Sequence, residues 1–234
     1  MDNLRWDLRY ALRVIRQRPL FTLVAVISIA LGIGGTTIIA GVINALLLRP
    51  PAGVGAPDRA VEIGRTVGGR GFDSFSYPEL VGMRSARTLE HVAGWRLAEL
   101  SYSQGRESER IMGLGASGEY FSALGLRPAL GRFFAITEDR TPGAHPLVVL
   151  SHQFWQQRLK GERGVLGSTI DLNRRQFTII GIAPPEFHGH VAAVRPDVYF
   201  PLTMWSVVRP GFNEWSEQRS SWFTVVARLR PMRA

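Results

Sequence analysis

The chain contains no cysteine, which excludes disulfides and thiol chemistry and leaves any exported portion to be held together by its core. Lysine is almost missing too: Lys160 is the single lysine among 28 basic residues. Blocks of like charge are absent, so the formal net charge of +9 is scattered and forms no basic patch of the kind that grips nucleic acid. The H-E-x-x-H pair of zinc hydrolases and the lysine-bearing phosphate loop of nucleotidases are also absent.

Against these absences stands one long apolar run. From Leu20 to Leu48 there are 29 residues without a charge, bracketed by Arg18 and Arg49. As a helix this run would extend about 43 Å, beyond the ~30 Å hydrocarbon core of a bilayer. It is twice the length of a signal-peptide core and is followed by Arg49-Pro50-Pro51 in place of a small-residue cleavage site, so an uncut transmembrane helix over 19–49 is expected. Residues 1–18 carry five arginines against two aspartates, with Leu4, Leu8, Leu12 and Ile15 at helical spacing. They predict a cytoplasmic amphipathic helix and place everything after Arg49 outside the cytoplasm. Within the span, Ser28, Gly32, Thr36 and Ala40 recur every fourth residue, as do Thr37, Gly41 and Ala45. Small residues at this spacing let a second helix approach closely, although they are also common in membrane helices generally.

Beyond the span the pattern is α+β. Val61 and Ile63 alternate as in a strand, and Ser76-Tyr-Pro-Glu79 spells a capping box. Strands are expected near Val92–Leu97 and Glu109–Met112, joined across Gln104-Gly105. Ser117 is read as the cap of a helix ending at Gly125, and Leu147–Leu150 as a strand before a helix capped by Ser151. Thr169–Leu172 and Phe177–Ile182 read as a hairpin, with further strands at Val198–Phe200 and Trp222–Leu229.

Several motifs invite chemistry. Gly113-Leu-Gly-Ala-Ser-Gly118 spells G-x-G-x-x-G, with Glu138 and Asp139 at the distance where a dinucleotide fold places its ribose-binding acid. Only about eight residues separate it from Gly125 and Pro128, too few for a crossover helix, so the glycines are read as turn residues and no cofactor is expected. Gly164-Val-Leu-Gly167-Ser-Thr169 lacks the lysine of a phosphate loop, and around Ser117 a nucleophile elbow would need glycine at Glu119. His188-Gly-His190 could share a metal with His145 or His152, though an exposed loop is the plainer reading, and no metal or catalytic residue is assigned. Trp205, Trp215 and Trp222 are expected in the core or at an interface.

Taken together, Pro19-Leu-Phe21, Ala30-Leu-Gly-Ile-Gly34, Leu47-Leu-Arg-Pro50, Tyr120-Phe121, Arg127-Pro-Ala-Leu-Gly-Arg132, Val149-Leu-Ser151, Ile180-Gly-Ile-Ala-Pro-Pro185 and Val226-Ala-Arg-Leu229 resemble the start of MacB-like ABC transporter permeases. The resemblance is strongest to the acidobacterial duplicated orphan permeases. It implies an inner-membrane protein with a periplasmic core domain: an incomplete ferredoxin-like porter part over 50–115 and 220–234, interrupted by a Sabre-like insert over 116–219. It implies no enzyme activity. The expected partners are a cytoplasmic ABC ATPase subunit, further permease helices or a second permease copy, and the lipid bilayer. The family continues past Arg230-Pro-Met-Arg-Ala234, so a fragment that does not transport alone is expected. The alternatives are a membrane-anchored periplasmic adaptor or sensor, and a metal-dependent hydrolase using His188 and His190.

Overall fold

The structure is a computed structural model that describes residues 17–43, 52–67, 70–105, 107–191, 194–212, 215 and 221–231. The chain forms two compact units, 1–49 and 50–234. In the first, helix α1 runs over Pro19–Ile43, and its stretch Pro19–Gly41 has a mean hydropathy of 2.2 with none of it buried. Among the described residues this is the one helix long and apolar enough to cross a membrane. Most of the expected N-terminal amphipathic helix, the end of the span and Ala45 lie outside the described residues.

The second unit is built on a nine-stranded sheet. Its long central hairpin joins β4, Leu89–Gln104, to β5, Glu107–Ala116, through Gly105 at φ 65°. On one side β4 pairs with β11, Thr224–Leu229, which in turn pairs with β1, Ala60–Ile63. On the other side β5 pairs in parallel with β10, Val198–Pro201. The order continues through β7, Leu147–Leu150, and β9, Arg175–Ile182, to the two-residue β6, Leu130–Gly131.

β8, Thr169–Leu172, closes the arrangement. It forms a hairpin with β9 and also pairs with β4, Tyr102 opposite Leu172 and Ser103 opposite Asp171. Strands β4, β5, β10, β7, β9 and β8 therefore pair around in a ring, which removes their sheet edges. Alternation dictates what lines it. Leu100, Tyr102, Ile111, Val148, Phe177, Ile179, Val198 and Phe200 fall in one buried cluster. The intervening residues Leu114, Val149 and Tyr199 belong to a second cluster with Tyr120, Phe121 and Val226.

The helices of this unit are short. The capping box at Ser76 is present, the Glu79 carboxylate accepting from the Ser76 backbone N–H at 2.7 Å, and it opens α2, Tyr77–Met83. α3 spans only Tyr120–Ala123. Here the structure corrects the expected cap: Ser117 is fully buried, and its hydroxyl accepts from the Gly94 backbone N–H at 3.0 Å, tying β5 to β4. Ser151 does cap α4, His152–Arg158, accepting from Phe154 N–H at 3.1 Å. α5, Trp205–Val208, follows β10. A separate hairpin, β2 at Arg65–Val67 and β3 at Arg70–Asp73, has no counterpart in the sequence expectations because R-T-V-G-G-R-G-F-D shows no apolar alternation.

Candidate functional site

The residues that open the second unit are fastened to it at two points. Gly55 donates its N–H to Leu124 O at 2.9 Å, and its carbonyl accepts from Arg228 Nη2 at 2.5 Å. Arg228 lies on β11 on the same face as Val226, buried to 6% exposure, and also donates through Nε to Ala123 O at 2.9 Å. A cation thus satisfies carbonyls at the C-terminal end of α3, where they lack helical partners. Gly125 continues this turn at φ 64°, and a Cβ there would lie 2.5 Å from Arg228 Nη2. Four residues past Gly55, Arg59 donates to Leu229 O at 2.9 and 2.7 Å and pairs with Glu90 on β4. The incoming chain is therefore held by β11, α3 and β4 together.

From α3 the contacts run into the glycine motif. Gly113, Gly115 and Gly118 all have negative φ, so none is needed for a left-handed turn. Each is needed for space. A Cβ on Gly113 would sit 2.5 Å from Leu100 Cδ1, one on Gly115 3.2 Å from both Phe200 and Trp205, and one on Gly118 2.5 Å from Ile136 Cα. Asp139, buried to 1% exposure, accepts from Gly118 N–H at 3.1 Å and from Thr203 N–H at 3.0 Å. Burial pushes its carboxyl up to about 6, against the pull of those hydrogen bonds. Glu138 instead grips Arg132 through two bonds of 2.7 Å, with its own carboxyl lowered by that guanidinium. Both acids of the expected cofactor spacing are thus occupied within the fold.

The histidines are not brought together. His188 is exposed, while His190 Nδ1 lies 2.7 Å from the hydroxyl of the buried Tyr120. The imidazole packs edge-on against Trp95 at 4.6 Å, and burial lowers its pKa to about 4. Among the described residues no three His, Asp or Glu side chains gather closely enough to hold a metal ion. Ser117 is sealed from solvent, and Gly164–Thr169 runs from the 3-10 turn Arg163–Val165 into the start of β8, with Gly167 at φ 84°.

On α1, Ser28, Gly32, Thr36, Ala40, Thr37 and Gly41 are all exposed, and a Cβ on Gly32 or Gly41 would meet nothing. The Thr36 hydroxyl bonds back to Gly32 O and Ile33 O at 3.0 Å, and Thr37 bonds to Ile33 O at 2.7 Å, so both hydroxyls are satisfied along the helix. Sequence reasoning gave Arg228 and Asp139 no such roles. The one signal for Arg228 was an arginine at a core-facing position of an otherwise apolar strand.

The fold of the second unit has counterparts among known proteins. No curated protein matches the sequence. Among solved structures, the chain is similar to the periplasmic region of MacB from Actinobacillus actinomycetemcomitans, at 16% identity and a TM-score of 0.54 over 73% of each chain. It is also similar to the extracellular domain of the noncanonic ABC-type transporter YknZ from Gram-positive bacteria, at 15% identity and a TM-score of 0.54 over 74% of this chain and 84% of that one. The fold is thus shared where little sequence is, and residues 22–234 match the MacB-like periplasmic core domain, so the chain belongs to that family.

Proposed function

We propose that the chain is a membrane-anchored periplasmic core domain of an ABC-type permease, transmitting movement between a cytoplasmic ABC ATPase subunit and extracytoplasmic events, with no catalysis of its own. One observation carries this reading: a 25-residue apolar helix leads into a domain matched to the MacB-like periplasmic core domain. In this reading the helix sits in the inner membrane with residues 1–18 in the cytoplasm. The fastening of Gly55 and Arg59 to β11 is the point where pull on the incoming chain enters the sheet.

The division into a porter-like part (50–115 with 220–234) and a Sabre-like insert (116–219) is supported by strand order. β1, β11, β4 and β5 are consecutive neighbours, as are β10, β7, β9 and β6. The stripes Ser28–Gly32–Thr36–Ala40 and Thr37–Gly41–Ala45 would seat further permease helices or a second copy.

Two measurements test the proposal. A periplasm-active reporter fused after Ala234 should be active and a cytoplasm-active one silent; the opposite pattern overturns the topology and the reading with it. Affinity purification from the native membrane should recover an ABC ATPase subunit. Recovery of soluble periplasmic proteins without an ATPase favours the adaptor instead.

A further inference from the structure

The register of the sheet brings the start of β1, the end of β11 and the start of β4 to one end of the second unit: Ala60 lies opposite Arg228, and Arg228 opposite His91. The chain enters the unit at that end, where Gly55 meets Arg228. The far end of β4 is sixteen residues away, about 50 Å along the strand.

Cations gather around the entry. Arg230 donates its backbone N–H to Thr88 O at 2.9 Å and its Nε to Leu89 O at 3.0 Å, with Arg87 just before that contact. Arg127 follows Gly125, whose carbonyl oxygen would lie 2.7 Å from a Cβ on Gly55. Arg87, Arg127 and Arg230 are exposed, and neither they nor Arg228 meet a carboxylate among the described residues. Glu90 is taken by Arg59 and Glu119 by Arg84, which leaves Asp58, Glu62 and Glu186 as the described acids without an ion pair here. The adjoining stretches 44–51 and 232–234 add Arg49 and Arg233 and no acidic side chain, while Glu214 and Glu217 precede β11, whose opposite end leads to Arg230. The balance at the entry is therefore positive.

Gly53 follows Leu48, the last residue of the uncharged run, by five positions, a reach of at most about 18 Å. In the reading proposed above, on which this inference rests, that run lies in the bilayer, so the entry is tethered within reach of the headgroups. We propose that this end docks on anionic phospholipid headgroups, with Arg87, Arg127 and Arg230 taking phosphate oxygens and so fixing which side of the unit is turned to the membrane. Each arginine beside an anionic surface is worth about a fivefold preference.

The test uses the full chain in nanodiscs of phosphatidylcholine, alone or mixed with phosphatidylglycerol. Because the sequence has no cysteine, the exposed positions Thr88→Cys and Gln176→Cys place a single fluorophore at this end or at the far end, where Gln176 lies opposite Asp171 and Asp171 opposite Ser103. Energy transfer to labelled headgroups should be stronger from Thr88→Cys in the anionic discs than in the neutral ones, with no such gain from Gln176→Cys. Salt at about 0.5 M should abolish the gain, and inorganic phosphate at matched ionic strength should act no differently from chloride. Arg87→Gln with Arg127→Gln should weaken the anionic preference about fivefold per residue without moving the unfolding temperature, because both side chains are exposed. Arg174→Gln with Arg175→Gln, the same charge removed at the far end, should leave it intact. Equal transfer in the two lipids, an undiminished gain in the Arg87 and Arg127 variant, equal loss in both double variants, or competition by phosphate beyond its ionic strength overturns the proposal. Nanodiscs expose both faces of the bilayer, so the outcome is independent of orientation in the cell, which the reporter fusions decide.

Discussion

The carboxylate of Asp139 accepts the backbone N–H of Gly118 at 3.1 Å, so the acid that the motif spacing would assign to a ribose holds the motif's own last glycine. This contact separates the three glycines. At Gly118 an added methyl meets the backbone of Ile136, which cannot step aside, whereas at Gly113 it meets the tip of Leu100, which can. Gly118→Ala should therefore cost about 3 kcal/mol or more and Gly113→Ala about 1–2 kcal/mol, read from urea unfolding. Equal costs would show that the Ile136 backbone yields.

Asp139 and His190 titrate in opposite senses. Asp139 keeps its proton up to about pH 6 in the fold but loses it near 3.8 when unfolded, so its contribution is full below 3.8 and lost as pH rises through 6. His190 stays neutral down to about pH 4 in the fold but protonates near 6.5 when unfolded, so its contribution is full above 6.5 and lost as pH falls through 4. Each amounts to about 3 kcal/mol at most. Between pH 4 and 6.5 the two slopes offset one another. Relative to wild type, stability of Asp139→Asn should gain with rising pH across this window and that of His190→Gln should decline. Parallel curves for all three proteins would show that neither group is linked to folding.

Arg228 is buried among carbonyls rather than carboxylates. Arg228→Met leaves Gly55 O and Ala123 O without donors and should cost about 2–4 kcal/mol. A lysine ammonium can reach one oxygen but lacks the fork that spans both, so Arg228→Lys should recover part of this loss. Amide hydrogen exchange should rise first at Gly55 and around α3; a rise confined to distant strands would refute the fastening.

In the apolar helix α1, Gly32→Leu and Gly41→Leu place bulk on an exposed face without disturbing neighbours. Each should weaken co-purification with a partner permease while leaving membrane insertion intact. Unchanged association in both would reduce the stripes to ordinary membrane-helix composition.

Local features of this fold are legible in the sequence because they are written in local chemistry. Leu147–Leu150, the hairpin of Thr169–Leu172 with Phe177–Ile182, whose second strand begins two residues earlier at Arg175, and the Ser76 and Ser151 caps follow from alternation and side-chain reach. The central strands are much longer than their apolar cores suggest. Ser101 and Ser103 alternate with the buried Leu100 and Tyr102 and carry β4 well past Leu97, while the polar Glu107 and Ser108 open β5 ahead of its apolar part. Ring closure is illegible because the β5–β10 and β4–β8 pairs join segments far apart along the chain. Ser117 misleads for a related reason: its hydroxyl looks like a cap until Gly94, 23 positions earlier, is placed beside it.

Parallel pairing of Val198–Pro201 against Gly113–Ala116 has a consequence for biogenesis. The slot between β5 and β7 stays vacant until about eighty further residues have been synthesised, and only then can the ring shut. Until that moment both flanking strands offer unpaired N–H and C=O groups to any neighbouring chain. Such late, long-range closure makes folding slow and aggregation-exposed, so the domain's yield in the cell should depend on how quickly β10 emerges after β5.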